Sequence, residues 1–108
     1  MNIYSSYSDG RLRLFLNGEL DHHEAKNAYE SIDNSIDRYL PRDCVLDFSQ
    51  LAFMDSSGIA LILRVFRKMH DNGGRAWIEN ACGQPMKVID ASGIERIIKI
   101  SQIKETAR

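Results

Sequence analysis

The chain has 108 residues, 44% of them apolar and 27% charged, with a formal net charge of −1. That suffices for one domain, 1–108, with its own core, and the even charge with no Lys/Arg run excludes the basic face that non-specific nucleic-acid binding needs. No apolar run approaches the roughly 20 residues of a membrane span, and the start, Met1-Asn2-Ile3-Tyr4-Ser5-Ser6, lacks the basic-then-apolar form of a signal peptide, so the expected compartment is the cytoplasm.

The first elements are strands at Tyr4–Ser8 and Arg11–Leu16, joined by Ser8-Asp9-Gly10, where glycine accepts positive φ. Leu12, Leu14 and Leu16 alternate with Arg11, Arg13 and Phe15, so one face is buried and the other at least partly wet. Asp21 followed by Glu24 resembles a capping box with Asp in place of Ser/Thr. Behind it Ala25, Ala28, Tyr29, Ile32, Ile36, Tyr39 and Leu40 recur at spacings of three and four, an amphipathic stripe of about four turns. Pro41 ends it. Cys44–Phe48, short and β-branched at its centre, reads as a strand parallel to the one before the helix, in a βαβ unit.

Ser49–Met54 reads as a connection with apolar anchors, and a second helix starts near Ser56 or Ser57 and runs to about His70. Its expected core stripe is Ile59, Ile62, Leu63, Phe66 and Met69, with Arg64, Arg67, Lys68 and Asp71 on the wet face. Leu61 and Val65 extend the apolar arc toward the charged side. Either they are covered by a loop or scattered on the surface, or they form a docking patch beside Ser56. Asp71-Asn72-Gly73-Gly74 closes the helix. A strand at Arg75–Glu79, a short helix opened by Gln84-Pro85-Met86-Lys87 and stopped by Ser92-Gly93, and a last strand at Ile97–Ile100 follow, with a polar, fraying tail from Gln102 to Arg108. The fold class is α/β: one mixed, mostly parallel sheet with an N-terminal hairpin and three or more helices. Sheet order does not follow from the pattern. Cys44 and Cys82 lie far apart and read as buried thiols, not as a disulfide or metal pair.

The stretch with chemical potential is Asp55-Ser56-Ser57-Gly58, between a strand and a helix, where hydroxyls and free backbone N–H groups face solvent together. It is not a Gly-x-Ser-x-Gly nucleophile elbow. His22 and His23 point about 100° apart on a helix, a poor arrangement for joint metal ligation, and no spacing matches a zinc site. Binding is therefore favoured over catalysis, with no catalytic residue, no cofactor and no metal. One of Ser56 and Ser57 capping the helix would account for the motif in most proteins. It leaves the second serine and the apolar flank unexplained.

Gly18-Glu19-Leu20-Asp21-His22-His23 and Phe53-Met54-Asp55-Ser56-Ser57-Gly58 together resemble the two signature stretches of bacterial anti-sigma factor antagonists, the STAS-domain proteins of the SpoIIAA type. The resemblance spans nearly the whole chain. It implies a single STAS-like domain and a non-enzymatic partner switch. The antagonist binds an anti-sigma factor serine kinase of the GHKL ATPase type and frees a sigma factor, in sporulation or in a general stress response. The kinase phosphorylates the serine directly after Asp, here Ser56, and a PP2C-type phosphatase reverses this. Family contacts map to the Glu19–Asp21 loop and to the helix after Ser57. The implied partner-binding residues are Glu19, Asp21, Asp55, Ser56, Ser57, Leu61 and Val65. The alternative is a STAS module that binds a nucleotide or small molecule.

Overall fold

A computed structural model describes residues 1–102. Of the polar tail expected from Gln102 onward, Gln102 itself donates from its side-chain amide to the Ala81 carbonyl, 2.8 Å away. Residues 103–108 lie outside the described residues.

The hairpin forms as expected but longer: β1 (Asn2–Ser8) and β2 (Arg11–Leu20) pair antiparallel over seven residue pairs. Asp9 and Gly10 both take positive φ, 52° and 81°, the turn that matches the twist of the flanking strands. Then follow α1 (His22–Tyr39), β3 (Asp43–Asp47), β4 (Leu51–Met54), α2 (Ser56–Asp71), β5 (Arg75–Glu79), α3 (Gly83–Ser92), a 3₁₀ turn (Ile94–Arg96) and β6 (Ile100–Ser101). The sheet order is β1-β2-β3-β5-β6, with β4 paired parallel to the far end of β2. The βαβ reading holds, since β2 and β3 are parallel.

The sheet has two unlike faces. Leu12, Leu14, Leu16, Cys44, Leu46 and Ile78 are buried in the core together with Ala28, Ile32 and Ile36 of α1 and with the inner residues of α2. On the other face the register sets Arg11 and Arg13 beside Asp43 and Asp47, and these beside Arg75 and Glu79. Asp43 is fully buried between Arg11 and Arg75, each donating two bonds of 3.0 to 3.3 Å. Burial alone would raise its pKa, but the two guanidinium groups outweigh that and lower it. Arg13 bridges Asp47 (3.2 Å) and Glu79 (2.6 Å). The partly wet face of β2 is thus a layer of paired charges.

Several sequence expectations need correction. Ser49–Met54 is not just a connection: after a tight turn in which Leu51 N–H bonds the Phe48 carbonyl (3.0 Å), it becomes β4. Leu40 leaves the α1 stripe. It is the left-handed C-cap (φ 46°) and is 72% exposed, because the residue before Pro41 is barred from continuing the helix. Ile97–Ile100 is mostly not strand. The N–H groups of Ile97 and Ile98 both bond the Ile94 carbonyl at 2.9 Å, leaving only Ile100 and Ser101 to pair with β5. Cys82 is exposed, while Cys44 is buried as expected.

The largest correction concerns α2. Its buried residues are Gly58, Leu61, Ile62, Val65 and Met69, with Leu61 2% and Val65 0% exposed. Ile59, Leu63 and Phe66 pack against this core half-buried. At 100° per residue the inner face is rotated by about 80° from the expected stripe. Leu61 and Val65 are core residues, so they form no docking patch. The cause is α1. The face marked as wet by Arg64 and Lys68 is the seam between the two helices: Lys68 bonds Asp33 (2.6 Å) and Asp37 (2.7 Å) of α1, and Arg64 lies 3.8 Å over the Tyr29 ring.

Candidate functional site

The parallel pairing of β2 with β4 sets Glu19 opposite Phe53 and Leu20 opposite Met54. Both strands run into helices, so the N-termini of α1 and α2 emerge side by side at one edge of the sheet. The approach depends on two glycines. Gly18 takes φ +120° at the irregularity where β2 leaves β1 for β4, a conformation that favours glycine. Gly58 faces β4 so closely that a Cβ there would lie 2.6 Å from the Met54 sulfur and 3.3 Å from Leu20. The glycine of Asp-Ser-Ser-Gly is therefore a packing requirement that seats α2 on the strand.

Each helix is capped by an aspartate. Asp21 Oδ1 accepts from the N–H groups of His23 and Glu24, both at 3.0 Å. Asp55 does more: Oδ1 accepts from Ser57 N–H (2.8 Å) at the start of α2, and Oδ2 from His22 N–H (3.1 Å) at the start of α1. One carboxylate thus ties both positive helix ends together. Burial pushes its pKa up, but the bonds from Ser57 and His22 and the nearby His22 ring outweigh that and hold it below the usual carboxylate value. The alternative in which one of the two serines caps α2 does not hold, because Asp55 takes that position and the serines fall in the first turn. Ser57 is half-buried and interacts with Asp55, whereas Ser56 is exposed and its hydroxyl has no hydrogen-bond partner among the described residues.

Of the residues singled out from sequence, Asp21, Asp55, Ser56 and Ser57 come together at this edge, with exposed Glu19 on the adjoining strand. Leu61 and Val65 do not share its surface. Two residues were missed. Phe53, opposite Glu19, leaves 38% of its surface in solvent, an apolar anchor beside a carboxylate. Gln84 of α3 replaces a missing strand on the outer side of β4: its Oε1 accepts from Met54 N–H and its Nε2 donates to the Met54 carbonyl, both at 2.9 Å. Phe53 was legible only through a strand assignment for β4, and nothing local marks Gln84.

The His22 ring, 70% exposed, sits with Nδ1 4.0 Å from Asp55, and its centroid lies 4.0 Å from that of His23. Among the described residues no group of His, Cys, Asp and Glu has the arrangement of a metal site, and no helix is long and apolar enough to cross a membrane.

Comparison with known proteins agrees with this architecture. The STAS domain family model matches residues 5–107. The chain is 31% identical over 100 residues to an anti-sigma F factor antagonist from Paenibacillus polymyxa, covering 93% of this chain and 86% of that one. It is 34% identical over 83 residues to the anti-sigma F factor antagonist of Lysinibacillus sphaericus, covering 77% and 69%. The structure of the anti-sigma factor antagonist SpoIIAA in its unphosphorylated form superposes with a TM-score of 0.81 at 27% identity, over 96% of this chain and 90% of that one. The phosphorylated form of the Bacillus protein superposes with 0.73 at the same identity, over 96% and 93%. The chain belongs to the STAS-domain family, and within it to the anti-sigma factor antagonists of the SpoIIAA type.

Proposed function

We propose that this antagonist binds an anti-sigma factor serine kinase of the GHKL ATPase type through the paired helix N-termini, releasing a sigma factor, and that phosphorylation of Ser56 by that kinase switches it off. A PP2C-type phosphatase restores it. All of this takes place in the cytoplasm, where ATP is available. The observation that carries the reading is the capping arrangement. Because Asp55 does the capping, the Ser56 hydroxyl is left exposed over the positive end of α2. The surface offered to the kinase is Glu19, Phe53, Asp21, Asp55, Ser56 and Ser57, and the apolar contribution falls to Phe53 in place of Leu61 and Val65.

A phosphate on Ser56 adds about −1.5 to −2 charges. At a helix N-terminus the dipole and free N–H groups accommodate it, and the neighbouring Asp55 carboxylate offsets part of that gain. The fold survives and the effect is felt by the partner, which must desolvate a phosphate where it had received a hydroxyl. Mismatches of that kind cost several kcal/mol, and about 1.4 kcal/mol is a tenfold loss of affinity. The test is mass spectrometry after incubation with the kinase and ATP. Wild type and Ser57→Ala are expected to gain one phosphate, on Ser56, and Ser56→Ala to gain none while still binding. Phosphate on Ser57, or on neither serine, would overturn the assignment.

A further inference from the structure

One edge of the sheet is β1, with the sequence Asn-Ile-Tyr-Ser-Ser-Tyr-Ser. Edge strands in soluble proteins are normally blunted by lysine, proline, a bulge or short length, because their free N–H and C=O groups template pairing with another strand. This one has none of those devices. It is uncharged, seven residues long and in unbroken register with β2 from Asn2↔Asn17 to Ser8↔Arg11.

The direction of its backbone groups follows from the turn. Asp9-Gly10 is a two-residue loop with φ of 52° and 81°, so Ser8 and Arg11 form the closing hydrogen-bonded pair. Alternation then aims the N–H and C=O groups of Ser8, Ser6, Tyr4 and Asn2 at β2. It aims those of Tyr7, Ser5 and Ile3 outward.

The geometry points to a second copy of this chain as the occupant of that edge, paired antiparallel about a two-fold axis through Ser5. A two-fold axis perpendicular to a sheet keeps each side chain on its own face, so opposing residues must share parity. Centring on Ser5 sets Ser5 opposite Ser5 of the second copy, Ile3 opposite Tyr7 and Tyr7 opposite Ile3. These are the residues whose backbone groups point outward. All three outward N–H groups and all three outward carbonyls of each strand are satisfied at once, and the full length of β1 is covered. A shift of the axis to Ser6 would oppose inward-facing groups at the centre and lose pairs at one end. Side chains agree: Ile3 with Tyr7 is a β-branched–aromatic cross-strand pair, made once at each end. A groove of about 140 Å³, lined in part by Ile3, Ala28 and Ser31, opens between β1 and α1 on the face that Ile3 and Tyr7 share, where each Tyr7 ring is stacked on Tyr39 of its own α1 with centroids 4.7 Å apart. The axis reverses strand direction, so the two Ser56 edges point opposite ways and both stay open. The inference does not depend on how Ser56 is read.

Sedimentation equilibrium on the full chain from about 10 µM to about 1 mM tests it, with amide hydrogen exchange at both ends of that range. The weight-average mass should climb toward that of a dimer. The amides of Ile3, Ser5 and Tyr7 should gain protection with concentration while those of Tyr4 and Ser6 are protected throughout. Ser5→Pro removes an outward donor at a site where an edge strand tolerates proline. Ser5→Lys sets two ammonium groups face to face across the axis. Each should weaken association at least tenfold. If Ser5→Pro misfolds by circular dichroism, Ser5→Lys and the wild-type exchange pattern decide. A monomer across the whole range overturns the inference, even if the edge later proves to accept a foreign strand. So does a dimer that both folded variants retain, or one that leaves the Ile3, Ser5 and Tyr7 amides unprotected.

Discussion

Asp55 is the residue on which the geometry of the site depends, and its removal has a calculable cost. Asp55→Ala deletes the cap on α2, worth about 1 kcal/mol. It also deletes the bond from His22 N–H at 3.1 Å, a contact to a charged acceptor worth on the order of 1.5 kcal/mol when shielded. The carboxylate is 33% exposed, so water replaces part of what is lost, and the sum comes to about 2 kcal/mol. In a domain of this size that lowers Tm by about 8 °C. The pH dependence has a definite sign. The folded pKa of Asp55 is lowered, so its contribution is fully present above the unfolded value of about 3.9 and is lost as pH falls through the folded value. Urea unfolding of wild type and Asp55→Ala over a pH series should show the full gap at pH 7, closing progressively below about pH 4. Asp55→Asn keeps a capping acceptor without the charge and should fall between the two. A gap under about 0.5 kcal/mol at pH 7, or one that does not narrow in acid, would refute the picture of one carboxylate joining two helices.

Other outcomes follow from the same structure. Leu61→Asp places an unpaired charge in the core, a cost of several kcal/mol, so circular dichroism should show an unfolded chain; a folded variant would return Leu61 to the surface. Glu19→Lys and Phe53→Ala should each leave Tm within a few degrees of wild type while weakening kinase binding about tenfold or more by calorimetry; normal binding by both would remove that strand end from the interface. Burial pushes the Cys44 thiol up to about 12, so at pH 8 a thiol reagent should label exposed Cys82 and leave Cys44 unmodified until the protein unfolds.

Several features were legible because they are local. The hairpin turn, the Asp21 cap, the α1 stripe from Ala28 to Ile36 and the stop at Gly73 each depend on residues within a few positions of one another, where steric and capping rules act directly. The strand between Arg75 and Glu79 and the parallel β2–β3 pair follow from such local elements once the helix between them is placed. The two signature stretches located the candidate site for the same reason: their small and acidic residues suit helix starts.

What only the tertiary structure decided involves partners distant in sequence. Leu51-Ala-Phe-Met has no alternation of its own and becomes a strand because β2 runs on past Gly18 to receive it, with Gln84 completing its other side. The inward face of α2 was misread by about 80° because polarity along a helix reports water only where no other element intervenes. Beside α2 the cations Arg64 and Lys68 are met by Tyr29, Asp33 and Asp37 of α1. Charge on that side therefore marked a helix–helix seam, and Leu61 and Val65 lie beneath it. Ser56 owes its free hydroxyl to the same kind of decision. Asp55, held by the N–H of a residue 33 positions away, takes the cap that the local sequence leaves open between an aspartate and two serines.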